Sequence, residues 1–594
     1  MVWRGKRALQ RIRGGFQYWC CIQQQQEIPI PKSHTGSANQ HKLTQQFYLG
    51  RNKKMTSIKN LILLTVLFIA TVLSGPANAT YPSPDIAHWD LSLSNERNDP
   101  DYQKVRDLVS QKKFDEALSI LDGKITNQPK EATPEILKAL ILNEKDDPKK
   151  ALDVLLVGFK KERQHPALHF AFCQIHRKLG NGLISEKACI IAAEQHRNDP
   201  LAHYEFALTL MARGKAKEAN KELGESVRLD PKNSKYTYEQ GMVFNYLNQN
   251  DKAEKSFKQA FSLDKNNIDA AYQLAYLYAI RNNKEQAEVY INHILDNHRN
   301  QPKANSAKLL REYIYKNATD KLPLKVVPGK YHLSRSQSLY RSKQFGLSII
   351  EVETAARLSP NDLKVQEILV GIHSMFLRLD MTEKSVGQFI EFAKDDEKLK
   401  SRGYQEWGDI EVLRGHMNKA RELYEKAKKL GDPNGIAKVS LDEFPEKIES
   451  NERQPLDPNV LFINPTKALN RKGEIFAHFG MYQRAMGIYS MVLRMDPTNL
   501  TALLNTATAN YKKEKYNRAI SILERLFVIH PNHEHIIAHR LLLARSYVMN
   551  GDLGDGIKNL EIILKLNPDV KKMIALDPAL EKLRGLESFR TLIQ

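Results

Sequence analysis

The chain has 594 residues, with 42% hydrophobic and 27% charged residues and a formal net charge of +20. That is too long for one ordinary core and too apolar for a disordered chain. The charge is not a nucleic-acid signal: residues 1–54 carry ten Lys/Arg against one Glu, residues 80–300 carry 32 of each sign, and residues 301–330 carry seven basic and two acidic residues. No basic stripe with interleaved aromatics appears, so nucleic acid is not an expected partner.

Residues 1–54 are basic and Gln-rich (Gln23 to Gln26) and lack helical periodicity. They read as a disordered prefix ahead of the true start at Met55. Residues 55–79 follow the three-part plan of a secretory signal peptide. Lys59 precedes the apolar run Leu61 to Leu73, Ser74-Gly75-Pro76 breaks it, and Ala77-Asn78-Ala79 offers a cleavage site. The expected mature protein starts at Thr80, is exported, and keeps no stable transmembrane span. Residues 80–98 are polar and read as a linker.

From Asp101 the apolar residues fall at three- and four-residue steps, which is helical spacing. Asp101 to Pro129, Pro134 to Arg163 and His169 to Pro200 each read as a helical hairpin. The pattern is clearest from Ser234 to Pro302. Gly241, Phe244, Ala253, Phe257 and Ala260 return 34 residues later as Ala275, Tyr278, Ala287, Ile291 and Ile294. Ala207, Leu210, Ala219 and Leu223 form the copy before. Turns are expected near Gly214, Asn248 and Asn282.

The period then fails. Residues 303–330 hold one helix and a loop with Pro323 and Pro328. Residues 331–438 form a degenerate block, weak at Ser348, where Ala is expected, and strong again at Trp407-Gly408, Ala420, Tyr424 and Ala427. Residues 439–457 read as a second linker. Residues 458–568 carry three more hairpins, at Gly473/Ala485/Tyr489, Ala507/Ala519/Leu523 and Ala544/Gly556/Leu560. Residues 569–594 read as a capping helix, which an array needs to cover its open apolar end.

A small residue, then an aromatic, then Ala-x3-aromatic-x2-Ala, repeated every 34 residues, resembles the tetratricopeptide repeat (TPR) family. The Asp-Pro pairs at Asp230-Pro231 and Asp496-Pro497 match that family's stop between repeats. The resemblance implies an all-α solenoid of helix hairpins, a right-handed superhelix of about twelve repeats in two or three blocks. It implies that the first helix of each pair lines a groove that binds protein partners, as extended peptides or helices. On that register Tyr204, Tyr238 and Tyr272, one repeat apart, face the N-terminal groove, with Asn245, Tyr246 and Tyr276 nearby. An aromatic ladder also suits a sugar chain. Asn470, Arg471, Glu474, Asn505 and Arg545 face a C-terminal groove, where they could hold a peptide carboxylate. The family's carboxylate-clamp pattern is not reproduced there.

His535 and His539, four apart beside His530 and His533, are the only candidate metal ligands, and a polar inter-repeat loop is the preferred reading of them. No cofactor is expected. No phosphate-binding loop, nucleophile elbow or C-x-x-C occurs in the sequence. Cys173 and Cys189 sit at similar distances from the turn at Gly180 to Gly182. A disulfide between them is conceivable, but Cys189 lies about 100° round the helix from the packing direction set by Ala188. Two small buried cysteines are therefore the preferred reading. The whole reads as a non-enzymatic scaffold in a bacterial periplasm, resembling repeat proteins of export, polysaccharide or pilus machines. The alternatives are an accessory subunit of a glycan- or peptide-processing enzyme, or a lumenal co-chaperone, although the His-Pro-Asp motif of a J domain is missing.

Overall fold

The computed structural model describes residues 99–594, except 166, 320–321, 323–324, 447–455, 457–461 and 534. The prefix, the signal peptide and the first linker lie outside the described residues. The chain divides into two compact units, with the boundary between Val365 and Gln366.

The first unit opens with six hairpins. They are α1 (Pro100–Ser110) with α2 (Phe114–Asn127), α3 (Thr133–Glu144) with α4 (Pro148–Lys161), α5 (Ala167–Lys178) with α6 (Gly182–Gln195), α7 (Pro200–Ala212) with α8 (Ala216–Leu229), α9 (Ser234–Tyr246) with α10 (Asn250–Leu263), and α11 (Ile268–Ile280) with α12 (Lys284–Asn297). The single helix α13 (Pro302–Tyr315) stacks on the last pair.

The 34-residue signature is a packing rule. A Cβ built on Gly241 would lie 2.6 Å from the Phe257 ring, so only glycine lets α9 and α10 come this close. Ala207, Ala219, Ala253, Ala275 and Ala287 are all fully buried at the equivalent contacts. The turn inside each hairpin needs a left-handed residue: Asn248 and Asn282 both have φ of 58° there. Asparagine tolerates that region better than most side chains. Between hairpins, the Asn233 side chain accepts bonds from the backbone N–H of Lys235 at 3.1 Å and Tyr236 at 3.3 Å, capping α9.

Cys173 and Cys189 are joined, with Cα atoms 4.9 Å apart. This corrects the expectation of two separate thiols. The small residues bring α5 and α6 so close that a position off the packing direction still reaches its counterpart. The bridge closes a loop of 16 residues. Reduction is expected to lower the stability of the first unit by about 3 kcal/mol through restored unfolded-chain entropy. Thermal melts with and without a reductant would show it, and an unchanged midpoint would refute it.

After α13 the chain reverses. Helices α14 (Pro328–Arg341) and α15 (Phe345–Leu358) form a seventh hairpin. Ser348, the irregular residue of this unit, donates to the Ser336 carbonyl at 2.8 Å, and Ser336 donates back to the Ser348 carbonyl at 2.8 Å. A reciprocal serine pair thus replaces the usual small apolar contact.

The second unit contains α16 (Leu363–Met375), within whose first turn the division falls, α17 (Leu379–Phe392), α18 (Glu397–Arg414), α19 (Met417–Lys429) and the short α20 (Ile436–Asp442). Three regular hairpins follow: α21 (Pro465–His478) with α22 (Tyr482–Met495), α23 (Leu500–Lys512) with α24 (Tyr516–Ile529), and α25 (Ile536–Asn550) with α26 (Leu553–Leu566). The segment read as a linker at 439–457 does not separate two blocks. Part of it is α20, Phe444 and Leu456 are buried, and one apolar cluster runs from Leu377 to Ala502. Glu443 accepts from the backbone N–H of Gln483 at 2.7 Å and so caps α22 from outside.

A buried charge cluster fastens the same junction. Asp409 on α18 accepts from the Tyr424 hydroxyl at 2.8 Å, from Lys472 of α21 at 2.8 Å and from Arg484 of α22 at 2.6 Å. Burial alone would raise the Asp409 pKa, but the two cations outweigh it and hold the group down to about 2. Asp409→Ala would strand two buried cations, an expected loss of about 3–5 kcal/mol in urea unfolding.

The end of the chain differs from the single capping helix expected for 569–594. It is two short helices, α27 (Lys571–Leu576) and α28 (Glu587–Ile593), with 3-10 turns at Pro568–Val570 and Pro578–Leu583. Pro568 and Pro578 break the run. Ile574, Leu580, Leu583 and Phe589 still cover the last hairpin, so the capping task is met.

Candidate functional site

The aromatic positions of the N-terminal groove do fall on first helices, but that groove is not open along α5, α7 and α9. Helix α15 lies against α5 and α7, and α14 lies against α9. The hairpin α14–α15 therefore rests on the row of first helices.

The fit is close. A Cβ on Gly346 would stand 1.8 Å from the Lys178 carbonyl oxygen at the end of α5. Thr354 donates to the Ala212 carbonyl at 2.8 Å, and Arg357 donates to the Arg213 carbonyl, both at the end of α7. His332 lies 3.1 Å from the Tyr246 hydroxyl and is bonded to Glu351, which also accepts from Arg335 at 2.7 Å. Asn248 fixes the incoming chain by accepting from Val326 N–H at 2.8 Å and donating to its carbonyl at 3.3 Å.

This places the candidate tyrosines. Tyr204 is 2% exposed, with its ring 4.9 Å from Tyr236 and Lys235 lying 4.8 Å over it. Tyr238 is packed 5.8 Å from Phe257, with Tyr331 and Arg335 of the hairpin beside it. Tyr246 is buried under Tyr331 and His332, and burial pushes its hydroxyl up to about 12. Asn245 is half-buried. Tyr272 and Tyr276 remain half-buried, with Lys303 at 5.0 Å over the Tyr272 ring and Leu322 packed in the same cluster. The six positions therefore do not form one open ladder. Long-range folding of a later hairpin decides this, and the only sequence signals were the lapse of the period after Pro302 and the glycine at 346.

Three of the C-terminal groove candidates already have polar partners within the protein. The buried Asn470 donates to the Asn499 side chain at 3.0 Å. Arg471 is exposed and pairs with Glu474 at 3.1 Å. Arg545 already binds a carboxylate, that of Asp577 in the cap, at 2.7 Å. Asn505 is half-buried on α23.

The histidines are arranged as a hydrogen-bonded turn. His530 bonds the Thr498 carbonyl at 2.6 Å, His533 bonds the His530 carbonyl at 2.6 Å, and the His533 and His539 rings meet at 2.7 Å. His539 thus faces His533, whereas His535 is exposed at the start of α25 with φ of 64°. Among the described residues no group of three or more His, Cys, Asp or Glu is placed to hold a metal ion.

The fold and its face define a class: a solenoid of helix hairpins that presents first helices to a bound segment. The chain is a tetratricopeptide repeat protein. Family models for the tetratricopeptide repeat match residues 247–309 and 501–533. Among solved structures it is similar to YrrB, "a TPR protein with an unusual peptide-binding site", at 18% identity over 32% of this chain and 97% of that one (TM-score 0.28). It is similar to Pseudomonas aeruginosa PilF at 12% identity, over 36% of this chain and 98% of that one (TM-score 0.33). The P58(IPK) TPR domain matches at 14% identity, over 66% of this chain and 98% of that one (TM-score 0.19). No curated protein sequence matches the chain.

Proposed function

We propose that this chain is a non-enzymatic scaffold that binds protein partners in a bacterial cell envelope. The observation that carries the reading is the groove itself: the first helices α5, α7 and α9 already hold a helical segment, so this surface has the shape and polar groups to grip one. The signal peptide at 55–79, cut after Ala79, supports export to the periplasm. Repeat proteins of this kind suit assembly of an export, polysaccharide or pilus machine. No described helix is long and apolar enough to cross a membrane.

The test is partner capture in living cells. A photo-reactive residue would be placed at Arg471 in one strain and at Tyr272 in another, with the cells fractionated first. The expected result is a periplasmic protein cross-linked to a discrete partner at one of the two positions. A cytoplasmic protein, or no protein adduct at either position, would overturn the proposal.

A further inference from the structure

The hairpin α14–α15 touches the groove through a seam that mixes apolar and buried polar contacts. Ile350 packs beside Gly182 and Tyr331 against Tyr246, while the buried Thr354 and His332 bond across the seam to the Ala212 carbonyl and the Tyr246 hydroxyl. Glu239 of the groove faces Arg335 of the hairpin, and burial raises its pKa although Arg335 and Lys235 oppose this. A permanent core contact gains most from apolar packing. Buried ion pairs add little net stability, because their desolvation cost offsets their attraction. Opening such a seam returns the bonded groups of Thr354, Arg357 and Tyr246 to water, so it costs less than parting a wholly apolar seam of equal area.

Two further features point the same way. The hairpin carries its own internal bonds, Ser336 with Ser348 and Glu351 with His332 and Arg335, and these survive undocking. Non-helical backbone lies on both sides of it, at Val326–Val327, where Asn248 holds the chain, and in the turn Ser359–Asp362.

The groove also states what it selects. Its polar groups toward the hairpin include the carbonyl ends of α5 and α7, the Tyr246 hydroxyl and the Asn248 side chain, with the Glu239 carboxylate within electrostatic reach of Arg335. Helix C-termini carry partial negative charge, about half an electron. The hairpin answers with donors and cations: Thr354 and Arg357 at the end of α7, and Arg335 toward Glu239. At the closest approach it presents Gly346, which no other residue could replace without moving the backbone.

We propose that the face formed by α5, α7 and α9 is a docking site for a cationic helix of a partner protein, and that α14–α15 is its resident, displaceable occupant. The proposal deepens the scaffold reading and rests on it. An arginine-bearing helix with a small residue at the close approach competes for the same carbonyls and for Glu239. The resident hairpin lowers the apparent affinity of that partner by the fraction of time the site is open.

The test uses the purified protein and a labelled synthetic peptide of residues 328–359. A lock is built as Gly182→Cys with Ile350→Cys, since a Cβ at 182 lies 3.1 Å from the Ile350 side chain. In the parent protein, with the Cys173–Cys189 bridge intact, α14–α15 are expected to exchange amide hydrogens together, at least tenfold faster than α9–α12, and the peptide is expected to bind. In the oxidised double variant, which keeps the same bridge, that exchange should slow and binding should be abolished. Arg357→Glu in the peptide, and separately Glu239→Gln in the protein, should each weaken binding about tenfold. Identical exchange in locked and unlocked forms with no peptide binding would overturn the proposal and make the hairpin a fixed brace. Equal binding of the charge-reversed peptide would overturn the cationic partner, and a dimer formed on opening would replace it with a second copy. These readouts need no native partner, so their failure is separable from a failed capture in cells.

Discussion

Gly346→Val is expected to expel α14–α15 from the first helices while leaving each hairpin helical. The ideal Cβ would stand 1.8 Å from the Lys178 carbonyl oxygen, and the obstacle is backbone, not a movable side-chain tip. Relief requires the start of α15 to lift, which breaks the Thr354 and Arg357 bonds to the end of α7. The expected loss is at least about 3 kcal/mol of docking free energy, beyond ordinary overpacking. Hydrogen exchange would report it as lost protection in α15 with protection kept in α9–α12. Urea unfolding should show an early transition absent from the parent. A single unchanged transition would mean that the close approach at residue 346 is misplaced.

The second large effect is acid sensitivity of the first unit. His165, His169 and His176 are all buried, and burial is the leading cause that lowers their pKa values to about 4, about 4 and about 3. The neighbouring His196 lowers the first two further, while Gln195 partly opposes this for His169. Each folded value lies below the unfolded value near 6.5, so the unfolded chain binds more protons between about pH 6.5 and pH 4. The stability from these residues is complete above pH 6.5 and is lost as pH falls through that window. At about 1.4 kcal/mol per unit, each contributes on the order of 3 kcal/mol of acid destabilisation by pH 4. His203 acts oppositely. Burial lowers its pKa, but the bond to Glu222 at 2.7 Å outweighs that and raises it, so its contribution is present at low pH and fades as pH rises through its folded value. Three groups against one give a net loss in acid. Melting temperatures from pH 7.5 down to 4.5 should fall steeply below 6.5, and His169→Gln should flatten the slope. A flat profile in the parent would refute the buried neutral state.

The legible parts of the chain were those governed by local rules. Gly241 opposite Phe257, the asparagines at left-handed turns and the Asp-Pro-x-Asn stops are contacts within about 34 residues, and each leaves a residue type in a fixed place. The groove was half legible. The sequence register placed Tyr204, Tyr238 and Tyr246 on first helices, and they are there. It could not show them covered, because the cover is formed by residues 326–357, up to about 170 positions away from the contacts it makes. Ser348 read as a weakness, yet it is half of a reciprocal bond with Ser336. The apparent linker before Asp457 misled for a related reason. Charge and proline mark a break in helix, not a break in packing, and Asp409 reaches both Lys472 and Arg484 across it.

By itself, then, the sequence determined the repeat, its period, the class of fold and the expectation of a protein-binding face, because helical hairpins are specified by small residues, turn residues and apolar spacing close in the chain. Only the tertiary structure decided which face is already occupied, that Cys173 meets Cys189, and that Arg545 already has its carboxylate in Asp577. Those outcomes depend on distances between segments remote in sequence, and a repeat pattern carries no record of where the chain turns back on itself.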